Sequence, residues 1–140
     1  MNIIQEAFSY LGIDWGEKKI GVAIADSETQ IAFALETVPN NERALARFAS
    51  IIAEYHVREV VIGIPSHVNR ECVEYPGESF GKVFSDEFHL VVHFENEMFT
   101  TKLARADLIA RGVRGRLDDL DDAQAARIIL ASWLEKFGRL

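Results

Sequence analysis

Hydrophobic and polar positions change their period along this chain, and the changes mark its elements. Phe8 to Ile13 and Ile20 to Ala25 are short apolar runs separated by a polar turn, which predicts two closely joined strands. The first run is apolar on both alternations, as expected of a strand buried on both faces. Ile31 to Val38 reads as a third strand, closed by Pro39 and Asn40. The period then becomes helical. Leu45, Phe48, Ala49 and Ile52 fall at i, i+3, i+4 and i+7, and Asn41 is placed to cap a helix reaching about His56. Glu59 to Ile64 is rich in β-branched residues and is stopped by Pro65, the pattern of a buried strand.

A weaker helical stretch runs from about Gly77 to Glu87, and His89 to Phe94 reads as a fifth strand. Thr100 or Thr101 caps a helix through about Ala110, which stops near Gly112. A last helix is expected from Asp119 to Phe137, with Ala126, Ile129, Leu130, Trp133, Leu134 and Phe137 as its inward stripe. Three tightly joined strands should be antiparallel. Strands reached through helices should be parallel to the first, with right-handed crossovers. The expected architecture is α/β: a mixed five-stranded sheet with helices on its faces and strand one central, beside strand four. The chain's 140 residues suit one domain.

Asp14 changes this picture from architecture to chemistry. It sits where the central strand leaves the sheet, at the carboxyl edge where open α/β sheets bind ligands. Burying a carboxylate there is costly without a metal ion or a bonded network. Glu97, after the fifth strand, should leave the same edge. Asp122 lies four residues before Ala126 and seven before Ile129, so it shares the inward stripe of the last helix. A first-turn carboxylate is also favoured by the helix dipole, whichever way it faces. Asp118 is the better cap, and Asp119 lies one turn before the stripe. Converging carboxylates repel unless cations neutralise them. Oxygen ligands without a His or Cys cluster suit Mg²⁺ or Mn²⁺.

The net charge of −7 argues against nucleic-acid binding, but its distribution is uneven. Lys102, Arg105, Arg111, Arg114 and Arg116 face only Asp107 between residues 102 and 116, while Asp118, Asp119, Asp121 and Asp122 follow. Such runs are most often solvated faces. Lys18, Lys19, Arg111, Arg114 and Arg116 are nonetheless placed to hold phosphates, so an acidic protein can bind nucleic acid locally. One cysteine, Cys72, allows no internal disulfide and fits a reducing compartment. No apolar run approaches the ~20 residues of a membrane span, and Met1 to Ala7 lacks the features of a signal peptide, so a cytoplasmic protein is expected.

At these residues a resemblance emerges. Gly12-Ile13-Asp14-Trp15-Gly16-Glu17-Lys18-Lys19-Ile20-Gly21-Val22-Ala23 resembles the opening motif of the YqgF/RuvX family. Val61-Ile62-Gly63-Ile64-Pro65 resembles its Val-Val-Gly-Leu-Pro strand, and Asn96-Glu97-Met98-Phe99-Thr100-Thr101 its Asp-Glu-Arg-Leu-Thr-Thr motif. Asp122-Ala123-Gln124-Ala125-Ala126 resembles its Asp-x-x-Ala-Ala helix. These matches run in order from about residue 10 to residue 135. The resemblance implies an RNase H-like fold and a nuclease of pre-16S rRNA maturation or of Holliday junctions. Its acidic triad would fall on Asp14, Glu97 and Asp122, the carboxylates already selected. Asn96 and Met98 depart from the family's Asp and Arg, and His67-Val68-Asn69-Arg70 departs from its Gly-rich turn.

Smaller features have plainer readings. His89 and His93, four apart, should share a strand face, and ordinary strand histidines outnumber metal pairs. Trp15 either stacks a base or packs under its turn. Phe80, Phe84 and Phe88 recur every four residues, a spacing that suits a core or a homodimer face. Two other functions compete with a nuclease. An actin- or sugar-kinase-type nucleotide module also places Asp-x-Gly after a strand, but it needs a second lobe. A catalytically inactive binding protein would explain Asn96 and Met98.

Overall fold

The computed structural model describes residues 6–64, 76–96 and 117–138. Strands β1 (Ser9–Asp14), β2 (Lys19–Asp26) and β3 (Ala32–Pro39) open the chain, followed by helix α1 (Ala44–Tyr55) and strand β4 (Val57–Ile64). Helix α2 (Pro76–Phe88), strand β5 (Val91–Asn96) and helix α3 (Leu117–Phe137) follow. The sheet order is β3-β2-β1-β4-β5. β1 is antiparallel to β2, β2 to β3, and β4 runs parallel to both β1 and β5. This is the mixed sheet expected, with β1 central beside β4.

Strand alternation sorts the residues onto two faces. Leu11 and Ile13 of β1, Ile20 and Val22 of β2, and Val60 and Ile62 of β4 are fully buried on one face. They pack there with Phe48 and Ile51 of α1 and Phe84 of α2. Tyr10, Ala23, Ala25 and Val61 point to the other face, against Ala126, Ile129, Leu130, Trp133 and Leu134 of α3. The four-residue phenylalanine spacing belongs to the core. Phe84 is fully buried, its ring 5.2 Å from Phe48, and Phe80 and Phe88 pack beside it.

Several boundaries differ from expectation for local reasons. Asn41 does not cap α1. Its side chain accepts the Arg43 N–H at 2.8 Å and its carbonyl accepts the Ala44 N–H, so it shapes the preceding turn. The fifth strand begins at Val91 rather than His89. His89 has φ 56°, and its N–H closes on the Ser85 carbonyl at 2.8 Å, which ends α2. His56 does the same for α1, with φ 54°. A left-handed residue is the usual way to terminate a helix, though glycine usually fills it. Phe137, expected on the inward stripe, is 64% exposed, with its ring 5.6 Å from that of Trp133. The helix expected from Thr100 or Thr101 lies outside the described residues. Among the described residues no helix is long and apolar enough to cross a membrane.

Candidate active site

Asp14 is the last residue of β1, on the face that α3 covers. The turn after it is tight because of Gly16. A Cβ there would stand 2.3 Å from the Lys19 carbonyl oxygen, so no other residue fits without moving the backbone. Asn40, beyond β3, pins this turn from outside. Its side-chain amide donates to the Gly16 carbonyl at 2.8 Å, and its N–H donates to the Lys18 carbonyl at 2.9 Å. Trp15 is half-buried and packs against the cluster beneath α1 and α2, under its turn.

Asp122 reaches the same place from the far end of the chain. Gly21 is the direct antiparallel partner of Asp14. Opposed residues of such a pair hold their side chains on one face, with Cβ atoms about 5 Å apart. Gly21 has no side chain, and the backbone of Asp122 fills that space. A Cβ at Gly21 would lie 1.9 Å from the Asp122 carbonyl oxygen. Gly12, two residues before Asp14, does the same one turn along α3. A Cβ there would meet Leu130 Cβ at 2.7 Å and the Ala126 carbonyl at 2.9 Å. Two glycines thus let α3 lie directly on the central strands, bringing Asp122 to the end of β1. Asp14 and Asp122 are both engaged in further interactions there.

The donor set fits a hard cation. Two carboxylate-bearing residues meet at a sheet edge, and oxygen ligands favour Mg²⁺ or Mn²⁺ over softer metals. Among the described residues no three His, Cys, Asp or Glu are grouped to hold a metal. The third expected member, Glu97, lies outside the described residues, as do Arg111, Arg114 and Arg116. Lys18 and Lys19 lie within them. Both line a surface groove of ≈ 690 Å³ that runs from Ala123, the neighbour of Asp122, to Thr37 and Pro39 on β3.

Across residues 8–136 the chain matches the family described as RuvX: Holliday junction resolvase. It belongs to that family. A Burkholderia ambifaria relative named "Putative pre-16S rRNA nuclease" is 36% identical over 131 residues, covering 90% of this chain and 88% of the relative. A Streptococcus uberis protein of the same name is 32% identical over 135 residues, covering 90% and 96%. Among solved structures, Thermus thermophilus RuvC in complex with a Holliday junction substrate aligns with a TM-score of 0.56 at 20% identity. That match covers 93% of this chain and 96% of that one, and it shows a shared, RNase H-like fold.

One acidic residue of this RuvX-family chain escaped the sequence reading. Glu95 of β5 is 5% exposed, the sole polar or charged side chain in the core of the described residues. It accepts from Ser132 Oγ at 2.8 Å and from Lys136 Nζ at 2.8 and 2.9 Å, which ties β5 to the last turns of α3. The signal was its alternation with His93, which also faces α3. The His93 ring lies 4.4 Å from that of Trp133, and its Nε2 is 2.7 Å from Glu59 Oε1. His93 is therefore a packed strand histidine, and His89, at the end of α2, does not share its strand. Cys72 and the loop at His67 lie outside the described residues.

Proposed function

We propose that this chain is a metal-dependent phosphodiesterase of the cytoplasm that trims pre-16S rRNA during ribosome maturation. One observation carries the reading. The Asp122 backbone occupies the space above Gly21, directly beside Asp14, so residues more than a hundred positions apart meet at the carboxyl edge of the central strand. Both residues are half-buried there, and carboxylates brought to one edge repel unless a cation neutralises them. In this reading Asp14 and Asp122, with Glu97, hold Mg²⁺ or Mn²⁺. When bound, the ion supplies charge neutralisation and activation of a water for attack on phosphorus. The protein's own groups position the substrate. Lys18 and Lys19 meet phosphates beside the cut, and Arg111, Arg114 and Arg116 are further candidates to hold phosphates. Family membership and relatives named for pre-16S rRNA support RNA as the substrate.

The family description also names Holliday junctions, so branched DNA is the second substrate to test. End-labelled pre-16S rRNA and a four-way DNA junction, each incubated with Mn²⁺, separate the two. RNA should be cleaved, and Asp14→Asn should abolish that cleavage. Equal cleavage by the variant would remove Asp14 from the site. Binding of RNA without turnover in either metal would instead favour an inactive binding protein, in line with Asn96 and Met98.

A further inference from the structure

We propose that the groove between the Lys18–Lys19 turn and β3 is a nucleotide subsite, seating the nucleotide next to the phosphodiester cut at Asp14 and Asp122. The proposal rests on the nuclease reading for what happens beside the groove, and on the groove itself for what binds there. Asp14, Gly21 and Thr37 form one rung across three strands, Gly21 pairing with Asp14 on one side and Thr37 on the other. Opposed residues share a face, so Thr37 faces the same side as Asp14, two strand spacings or roughly 10 Å away. Lys19, two residues before Gly21, has that orientation as well. The groove therefore continues the carboxylate edge.

Its chemistry matches a nucleotide in three respects. Its volume, ≈ 690 Å³, falls among pockets that hold small organic ligands. Ala34, Pro39 and Ala123 give it apolar walls for a sugar and the face of a base, while the Leu35 side chain packs against the core on the other face. Lys18, Lys19 and the Thr37 hydroxyl give it donors for a phosphate. The one carboxylate of the lining, Glu36, opposes Val22, so its side chain faces the α1 side of the sheet, away from Thr37 and Lys19. Arg47 Nε donates to its Oε2 at 2.8 Å and Arg47 Nη2 to its Oε1, so Glu36 does not oppose an incoming anion. In a chain of net charge −7, two lysines at this edge, with the nearest lining carboxylate turned to the other face and bound to Arg47, select a polyanion locally. The groove is open and borders the catalytic edge, as a subsite on a continuous strand requires.

The test reads binding without cleavage. ¹⁵N-labelled Asp14→Asn protein is titrated with a short single-stranded RNA in the absence of divalent metal. Amide shifts should gather at Lys18, Lys19, Ala34 to Thr37 and Ala123. Lys18 is exposed, so Lys18→Glu should fold normally. It should weaken RNA binding about tenfold and lower the salt slope by about one. Thr37→Val should weaken binding about threefold to tenfold, and Thr37→Ser should restore it. Shifts confined to other surfaces, or unchanged affinity in both Lys18→Glu and Thr37→Val, would overturn the subsite even if cleavage is normal. Shifts in the groove from a protein whose Asp14 form cuts nothing would support the subsite and overturn the nuclease reading alone.

Discussion

On the α1–α2 side of the sheet, Leu11, Ile13, Ile20 and Val22 meet Phe48, Ile51 and Phe84, large side chains that fill the space between layers. On the α3 side the same strands present Gly12, Gly21, Ala23 and Ala25 where the helix passes closest, at Asp122 and Ala126, with Ile129, Leu130, Trp133 and Leu134 filling the rest of that face. The first face is stabilised by buried apolar volume. The second gives up volume so that a helix can approach within backbone contact, and it is the face that carries Asp14 and Asp122. Two packing modes in one small sheet separate what holds the fold from what positions the chemistry. Removing bulk should damage the first face, and adding bulk should damage the second.

Substitutions can break that contrast. Phe48→Ala should be the most destabilising, at about 3–5 kcal/mol, because a fully buried ring contacting Phe80 and Phe84 leaves a cavity. Denaturant unfolding reads the loss, and the protein that remains folded should cleave RNA within about threefold of wild type. Gly21→Ala should cost about 3 kcal/mol, the upper end for overpacking, since backbone rather than a flexible side chain must yield. Its folded fraction should nonetheless lose about 100-fold in activity, because displacement of Asp122 by about 1 Å misaligns the site. Equal activity losses for these two variants would collapse the distinction between the faces. Gly12→Ala, with a milder clash near Leu130, should cost about 1–2 kcal/mol and about tenfold in rate.

Smaller effects sharpen the picture at the far end of α3. Ser132→Ala removes one donor to the buried Glu95 and should cost about 1 kcal/mol in unfolding free energy. The Arg47–Glu36 pair on the opposite face is more exposed. Arg47→Ala should leave the denaturant midpoint nearly unchanged, with any difference shrinking further in high salt.

The strands, their order and the edge holding Asp14 were legible because apolar period and chain connectivity are local properties. Asp122 was legible as part of a stripe, from its spacing to Ala126 and Ile129. What brings it to Asp14 was not legible. Gly21 looked like any glycine in a strand, and only the packed helix shows that its missing Cβ is the space Asp122 uses. Glu95 was hidden for the same reason, since its partners Ser132 and Lys136 lie 37 and 41 residues downstream. His56 and His89 ended helices in a left-handed conformation that composition would assign to glycine. Asn40 was read as the end of a strand, yet its side chain fixes the turn that follows Asp14.

The central claim is that Asp14 and Asp122 form one site for a hard cation. Mn²⁺-dependent cleavage of end-labelled pre-16S rRNA, compared between wild type, Asp14→Asn and Asp122→Asn, tests it most directly. Each single variant should lose at least about 100-fold, since even residues behind metal ligands cost 10–100-fold. The double variant should lose no more than the worse single, as expected of residues acting as a unit. Cleavage at the wild-type rate by either single variant would contradict it.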